Sequence, residues 1–488
     1  MLPLAKLAQV VGGELYRSAG SEIVTGVSYD SRKVQLGDVF IAISGHKDDG
    51  TKYVSDALSR GAVAVICEAG CSSQSSAPTI IVNNARAALA TVAWSLAGNP
   101  QRDLKLIGVT GTNGKTTVTA ALAQLLSLCG QPTGVCGTLG MFFENYNFAS
   151  DRTTAEAPEL AAAFSAMKSN GATHVALEAT SIGLVMHRLD ELQFDVGIFT
   201  NLSRDHLDFH GTWEEYRRAK MMLFDSSRLS GSAILNADDP ETVHLSQATT
   251  RPMLTYSIDV SSDFQATRLN LQATGTDFTL LTSAKETQVS TPLVGRFNVY
   301  NSLAIIAGAN ALGVSLDEIA HTLPQIKPVR GRAEVISSSA KFAVLVDYAH
   351  TPDALEKILA TVRDLAKGKL HCVIGAGGDR DRGKRPLMAQ TAEKFSDRVY
   401  LTSDNPRSEK PDAILGDMRE GISDISILYV NPDRKQAIHS ALETAKEGDV
   451  VLVAGKGHET YQEINDVKNP FDDAEVIRDW LRASGYLQ

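Results

Sequence analysis

The chain has no apolar run near the roughly 20 residues that a membrane-spanning helix requires; its longest, such as 342–346 and Val450–Ala454, are far shorter. It also lacks a signal-peptide pattern. MLPLAKLAQVVGGELYRSAG has no basic start followed by a long apolar stretch, so neither export nor membrane insertion is expected. An excess of positive charge is missing too. The formal net charge is −10, which argues against a general nucleic-acid or acidic-membrane surface and requires any anionic ligand to be held by local clusters of Arg, Lys and backbone N–H. Cysteine is scarce: Cys67, Cys71, Cys129, Cys136 and Cys372 are odd in number and irregularly spaced. Reduced thiols in a cytoplasmic protein are expected rather than a disulfide framework. No Cys/His spacing suits a metal, so any metal is expected on oxygen ligands. Neither a repeat of roughly 20–50 residues nor a low-complexity segment is visible.

What is present is globular. Hydrophobic residues make up 43% and charged residues 21% of 488, a balance that excludes dominant disorder. At roughly 150 residues per domain, the length suggests about three domains. Short apolar runs end in Gly-, Asp- or Asn-rich loops at LKLIGVTGTNG (104–114), THVALEATS (173–181), DVGIFTNLSRDH (195–206) and SAILNADDP (232–240). The pattern returns in FAVLVDYAHTPD (342–353), LHCVIGAGGDRDRG (370–383), RVYLTSDNPR (398–407) and DVVLVAGKGHE (449–459). Runs apolar throughout predict strands covered on both faces, hence parallel sheets flanked by helices. The stretches 116–128 and 352–366 have helical spacing. The expected fold class is therefore α/β, with ligands bound at the carboxyl ends of strands, where every one of these polar clusters falls. Domains are expected at 1–100, 101–330 and 331–488, with boundaries after AGNPQRD and at 327–331.

Residues 108–117 read GVTGTNGKTT, directly after a strand and opening a helix. Gly111, Thr112, Asn113 and Gly114 let backbone N–H groups wrap phosphate oxygens, and the helix start at Lys115, Thr116 and Thr117 adds positive potential. Lys115 can reach β- and γ-phosphates, and the Thr116 hydroxyl can ligate Mg²⁺. A guanine-reading NKxD or TKxD motif is absent, which favours ATP. Glu178 and His206, each following a strand, are candidate Mg²⁺ ligands, because a hard cation on phosphate takes few protein oxygens. On its residues alone, Glu178 serves equally as a loop anchor and His206 as a structural hydrogen-bonder. Lys220, within TWEEYRRAKMMLF, reads as the solvated face of a helix.

Taken together, YDSR (29–32), GTNGKTT (111–117), NLSRDHLDFHGT (201–212), YRRAK (216–220), GRFNVYN (295–301), GRAE (331–334), DYAHTPDAL (347–355), GGDRDRGKRP (377–386), DNPR (404–407) and AGKGHE (454–459) resemble the Mur ligases, in particular their diaminopimelate-adding branch. The resemblance runs nearly end to end. It implies a smaller N-terminal α/β domain for a UDP end, a central phosphate-loop ATPase-type parallel sheet, and a C-terminal Rossmann-like domain for an incoming amino acid. The implied activity is ATP-dependent amide formation through an acyl phosphate, joining meso-diaminopimelate to UDP-N-acetylmuramoyl-L-alanyl-D-glutamate in peptidoglycan precursor synthesis.

By resemblance Thr116, Glu178 and His206 serve Mg²⁺, and Lys220 is carbamylated by CO₂ (N6-carboxylysine) so that it too can hold the metal. Lys115, Lys220 and His206 are the implied catalytic residues. Carbamylation needs a neutral amine, so a desolvated lysine with a depressed pKa would suit. Asn298 and Asn301 match adenine-side positions, although local turn and helix capping explains them as well. Arg332 and Asp347 match ATP contacts. Arg380, Asp404, Asn405, Pro406, Arg407, Gly455 and Glu459 match diaminopimelate-binding positions, where the planar fork of Arg407 suits a distal carboxylate. Ser31, His46, Lys47, Asp48, Thr153, Thr154, Ser181 and Arg188 match the UDP-muramoyl-dipeptide site. Departures cluster on this donor side: TSIGL (180–184) puts Ile182 where the family has histidine, Met186 replaces a common glutamine, and Arg152 replaces an asparagine. Folylpolyglutamate synthetase is a rival within the same chemistry, and DNPR speaks against it. A lysine-adding sibling is distinguished by Arg407, and a nucleotide-dependent switch by the absence of ligation.

Overall fold

A computed structural model describes residues 1–45, 49–69, 77–148, 150, 152–272, 274–336 and 338–487. His46, Lys47 and Asp48 of the expected donor site, and Cys71, lie outside the described residues. Two compact units form: Met1–Phe264 with Ala304–Ile319, and Gln265–Leu303 with Ala320–Gln488.

The first unit carries two large sheets and a short antiparallel pair, Leu2–Pro3 with Ile23–Val24. In the N-terminal large sheet, Glu14–Tyr16, Thr79–Val82, Ala64–Glu68, Asp38–Ile41 and Gly26–Ser28 lie side by side in that order, parallel except for the first. The helix Ala85–Leu96 follows, started by Asn84, whose side-chain oxygen accepts the N–H groups of Arg86 and Ala87 and so satisfies two donors left over at a helix start. The larger sheet runs Tyr146–Phe148, Gly140–Phe143, Thr133–Gly137, His174–Glu178, Lys105–Thr110, Phe194–Phe199, Leu229–Asn236 and Met253–Ser257. Pairing is parallel from Thr133–Gly137 onward. Leu106, Ile107 and Val109 are all buried, as a strand covered on both faces requires. The helix Lys115–Leu128 is buried nearly all round, from Thr116 through Ala123 and again at Leu125 and Leu126, as a helix packed on more than one side is. Cα–Cβ directions thus send the sheet's apolar side chains into the cores and leave polar chemistry to the strand ends.

In the second unit Glu334–Val335, Ala343–Asp347, Val450–Ala454, Leu370–Ile374, Arg398–Leu401 and Leu428–Val430 form one sheet, parallel apart from its first strand. The expected helix at 352–366 is Pro352–Leu365, with Thr351 as its cap and Leu355, Ile358, Leu359 and Val362 inward. An antiparallel meander, Phe264–Gln272, Gly275–Leu281 and Glu286–Thr291, is absent from the sequence reading. Its outer strands expose alternate residues, Arg268, Asn270 and Gln272 on one and Glu286, Gln288 and Ser290 on the other, and these polar positions, with the many threonines between them, conceal the alternation among loop-like residues. Among the described residues, no helix is long and apolar enough to cross a membrane.

A fully buried ion pair holds the strand-end loops of the second unit. Both carboxylate oxygens of Asp473 take Arg434 nitrogens at 2.7 Å, while Arg434 also donates to the carbonyls of Ser403 and Ala454. Removing one partner strands a buried charge, which costs about 3–5 kcal/mol. Asp473→Ala is therefore expected to lower the unfolding free energy of this unit by about that amount. Guanidinium unfolding followed by a probe in residues 320–487 checks it, and a change under about 0.5 kcal/mol, typical of a surface substitution, would contradict the pair's role.

Candidate functional site

In the first unit the chain turns from the strand Lys105–Thr110 into the helix Lys115–Leu128 through a loop shaped by its neighbour strand. Thr112 N–H donates to the Asn201 carbonyl (2.8 Å), Asn113 N–H to the Asn201 side chain (3.0 Å), and the Thr200 hydroxyl to the Asn113 carbonyl (2.6 Å). Gly111 sits at φ +144°, and a Cβ there would lie 1.9 Å from Thr200 Oγ1. Only glycine fits this turn. The Lys115 amine folds back onto the carbonyls of Gly111 and Thr112, both at 2.9 Å.

A second amine reaches the same oxygen. Lys220 Nζ donates to the Gly111 carbonyl at 2.7 Å and lies 4.6 Å from the centre of the Tyr216 ring. The helix Trp213–Met221 is polar as a whole, yet it turns Tyr216, Ala219 and Lys220 inward, and Lys220 is 2% exposed. Burial, followed by the nearby Lys115 charge, drives its pKa well below the ordinary lysine value, with Asp205 opposing weakly. Burial of this kind favours the neutral, nucleophilic form of the amine. The solvated helix face expected from the local sequence is not what forms.

Opposite, the strand His174–Glu178 ends with a carboxylate 2% exposed. Glu178 accepts the Thr138 N–H (2.7 Å) and hydroxyl (3.3 Å) and the Thr116 hydroxyl (3.1 Å). Gly137 leaves the space, since a Cβ there would meet Glu178 Oε1 at 2.3 Å. Among the described residues no group of three or more His, Cys, Asp and Glu side chains could hold a metal. The available donors are instead hydroxyl and carboxylate oxygens, the type that suits a hard cation sharing its shell with phosphate. His206, at φ +51°, has its ring 3.5 Å from Asp205 and edge-on to Tyr216 at 6.3 Å; it makes no hydrogen bond to Thr116, Glu178 or Lys220.

The expected donor residues gather beside Glu178. Thr153 Oγ1 lies 3.2 Å from Thr138 Oγ1, the Thr154 hydroxyl donates to the Glu178 carbonyl (2.7 Å), and Arg188 donates to the Thr154 carbonyl (3.0 Å). Ser181 meets His210 Nε2 at 3.0 Å. Glu156 stands between Arg188, 3.0 Å away, and Arg152. Ser31, by contrast, lines a cavity of about 800 Å³ together with Tyr29, Tyr53, Arg152 and Glu159, where the Tyr29 hydroxyl donates to Glu159 (2.7 Å).

In the second unit Asp347, Arg380, Asp404, Asn405, Pro406, Arg407, Gly455 and Glu459 stand at or just beyond the carboxyl ends of parallel strands, whereas Asn298 and Asn301 lie in the helix Arg296–Ala311. Asp347 accepts the Ala333 and Ala349 N–H groups at 2.7 and 2.8 Å; burial raises its pKa against the lowering effect of Arg332 and these bonds. The Arg332 guanidinium stacks 4.8 Å from the Tyr348 ring, with His458 5.0 Å from it. Burial, then Arg332, pushes His458 down to about 4, so its imidazole is neutral at pH 7. Asn298 and Asn301 are buried, and their amides are engaged locally, with the Val294 carbonyl (2.9 Å) and the Asn298 side chain (2.7 Å). The amino-acid motifs meet closely. Lys456, fully buried, donates to Asn405 Oδ1 and Glu459 Oε2 at 3.0 Å each, and Asn405 donates to Glu459 at 2.8 Å. Pro406 and Asp404 are buried, and Gly455 admits Asp404, whose Oδ2 a Cβ there would meet at 2.8 Å. Arg380 is exposed. Arg407 is not an open fork: Nε donates to Glu463 (3.1 Å) and one terminal nitrogen to the Gly378 carbonyl (2.8 Å).

Sequence reasoning missed Thr138, Asn201, Tyr216, His210, Glu156, Lys456 and Glu463. Lys456 lay inside AGKGHE, Asn201 and His210 inside NLSRDHLDFHGT and Tyr216 inside YRRAK, each as apparent filler. Thr138, Glu156 and Glu463 lay outside every motif, and their roles depend on partners far along the chain.

Three family descriptions match: "Mur ligase family, catalytic domain" over residues 23–94, "Mur ligase middle domain" over 109–309 and "Mur ligase, glutamate ligase domain" over 331–457. The chain is 42% identical over 485 residues to the UDP-N-acetylmuramoyl-L-alanyl-D-glutamate–2,6-diaminopimelate ligase of Halalkalibacterium halodurans, covering 99% of each chain. It is 42% identical over 491 residues to the enzyme of that name from Geobacillus kaustophilus, covering 99% of this chain and 100% of the other. A solved structure of a UDP-N-acetylmuramoyl-L-alanyl-D-glutamate–2,6-diaminopimelate ligase superposes with a TM-score of 0.73 at 36% identity, over 99% of both chains.

The buried amine gives a testable pH dependence. Because Lys220 has a lowered pKa when folded, the unfolded chain binds more protons at this residue between that lowered value and about 10.4. Stability contributed through Lys220 therefore rises with pH across this window. In CO₂-free buffer, Lys220→Met is expected to be flatter in unfolding free energy against pH, between pH 8 and 10, than the unmodified protein. Equal slopes in a urea series would mean that Lys220 is solvated.

Proposed function

Because the chain belongs to the Mur ligase family, we propose that it is an ATP-dependent amide ligase that joins meso-2,6-diaminopimelate to the D-glutamyl γ-carboxylate of UDP-N-acetylmuramoyl-L-alanyl-D-glutamate, forming ADP and phosphate in cytoplasmic peptidoglycan precursor synthesis. The observation that carries the reading is the convergence of Lys115, Lys220, Thr116 and Glu178 around the phosphate loop, with Thr153 and Thr154 alongside. We assign the N-terminal domain, 1–100, to the UDP end, 101–330 to ATP and 331–488 to the amino acid.

A carboxylate is a poor electrophile, so the γ-phosphoryl group passes first to the donor carboxylate. The amine then attacks the acyl phosphate, and the tetrahedral intermediate expels phosphate. Both steps bring anions together, and the loop N–H groups with Lys115, which would turn from the loop carbonyls to the phosphates, offset that repulsion. The Lys220 amine attacks CO₂, forming an N–C bond and releasing a proton; the nitrogen keeps one N–H for the Gly111 carbonyl. The resulting anion gains an attraction to the Lys115 ammonium that the neutral amine lacked. Thr116, Glu178, His206 and the Lys220 carbamate would hold Mg²⁺, which when bound neutralises charge on the transferring phosphoryl group. Asn298, Asn301, Arg332 and Asp347 serve the nucleotide. Ser31, Thr153, Thr154, Ser181 and Arg188, with His46, Lys47 and Asp48, serve the muramoyl dipeptide, and Arg152 adds a cation on this side. Arg380, Asp404, Asn405, Pro406 and Gly455 surround the amino acid, with Glu459 for the amine and Arg407 for the carboxylate of its distal centre.

The assay is ADP release by purified protein. Release is expected only when ATP, the UDP-linked dipeptide and the amino acid are all present, and Lys115→Ala is expected to abolish it without changing the urea midpoint. Saturable turnover in that variant would contradict the assignment.

Specificity for the amino acid follows from Arg407. With two of its nitrogens engaged, one charge-assisted bond of about 1.5–3 kcal/mol remains for the distal carboxylate, a preference of about ten- to a hundredfold over L-lysine. Arg407→Ala is expected to erase that preference while ATP binding persists. Comparable kcat/KM for both amino acids in the unmodified protein would overturn it.

A further inference from the structure

Arg407 adopts a left-handed backbone conformation, φ +52°, uncommon for a residue with a long side chain. It is held there from the hairpin Tyr461–Ile464 and Val467–Pro470. The Arg407 N–H donates to the Glu463 carbonyl (3.0 Å), and the Asn465 N–H donates to the Arg407 carbonyl (2.9 Å). The Glu463 N–H donates to Asn405 Oδ1 (2.9 Å), and Gln462 donates to the Asp404 carbonyl (2.7 Å). The hairpin is thus fixed to the 404–407 loop largely by main-chain groups, independent of the Glu463 carboxylate.

That carboxylate does something else. Its Oε2 accepts Arg407 Nε at 3.1 Å, and the Gly378 carbonyl accepts NH1 at 2.8 Å. The two acceptors fix the guanidinium plane from separate sides, and NH2 makes no hydrogen bond among the described residues. Glu463 and Arg407 are equally shielded, each 22% exposed, so their attraction is less screened than that of a surface pair. Truncating Glu463 frees a long side chain whose rotamer freedom must then be lost again on binding.

We propose that Glu463 is the positioning residue for amino-acid selection: it orients Arg407 so that NH2 meets the distal carboxylate of a diamino-dicarboxylic acid, and its charge tempers the rejection of a ligand lacking that group. The inference rests on the reading of Arg407 as the carboxylate-binding residue. The tempering follows from charge balance. With L-lysine bound, Arg407 keeps Glu463 as a partner and is not left as an unpaired cation; with glutamine at 463 the acceptor oxygen remains, but the compensating charge is gone.

The test is steady-state kinetics on Glu463→Ala, Glu463→Gln and Arg407→Ala in the full chain, with the UDP-linked dipeptide, ATP and either meso-diaminopimelate or L-lysine. Glu463→Ala is expected to raise KM for meso-diaminopimelate about tenfold, as a misplaced binding group does, with kcat and KM for ATP unchanged. Glu463→Gln is expected to restore that KM and to widen the preference over L-lysine. Adding Glu463→Ala to Arg407→Ala is expected to change KM no further, since the effect passes through Arg407. If Arg407→Ala raises KM and Glu463→Ala does not, the positioning role is wrong while Arg407 stands. If Glu463→Gln is as impaired as Glu463→Ala, orientation through the acceptor oxygen is wrong. If neither Glu463→Ala nor Arg407→Ala moves KM, the reading of Arg407 fails and the proposal fails with it.

Discussion

Two lysine amines meet at one carbonyl oxygen, that of Gly111, and both cannot remain comfortably charged there. Lys115 opens a helix at the mouth of the phosphate loop, where it can swing toward anions. Lys220 is enclosed, with Tyr216 against it and, among the described residues, no carboxylate in hydrogen-bond contact, so its neutral form is the one the surroundings favour. That constraint orders the rest of the site. The loop must present its N–H groups to phosphate while its carbonyls take up the amines. Gly111 is required for this turn, and Thr200 and Asn201 of the adjacent strand hold the loop from behind. Glu178 then provides the acidic wall, fixed by Thr138 and Thr116 rather than by a counter-cation.

The second unit solves a related problem with charges that are kept. Arg434 and Asp473 are buried as a pair, and Arg434 ties together, through Ser403 and Ala454, the ends of the two strands that flank Leu370–Ile374. Lys456 is buried between Asn405 and Glu459, so the two loops that would receive an amino acid share one hydrogen-bond network. Arg407 and Glu463 stand at its edge. In both units the sheet's apolar strands bury themselves on two faces and deliver polar groups to one end, which is why chemistry collects at strand ends here.

Local sequence carried much of this. The phosphate loop was legible because GTNGKTT fixes backbone shape and charge within seven residues, and 352–366 was legible because its apolar positions repeat at helical spacing. Lys220 was not legible from its surroundings. Its own helix is polar, and what buries it arrives from Gly111, more than a hundred residues earlier. Thr138 and Glu463 were missed for the same reason: each is an ordinary residue until a distant strand or loop brings its partner. The meander at 264–291 was missed because strands rich in Thr and Gln look like loop. The resemblance singled out Lys220 where composition and spacing pointed to solvent, and the structure buries its amine, which favours the neutral form.

We propose that this amine takes up CO₂. The direct measurement is ¹³C NMR of the protein equilibrated with ¹³C-labelled bicarbonate. One slowly exchanging carbamate resonance, present in the unmodified protein and absent from Lys220→Ala, is the predicted result. No carbamate resonance in protein that is turning over, or the same resonance in Lys220→Ala, would contradict it.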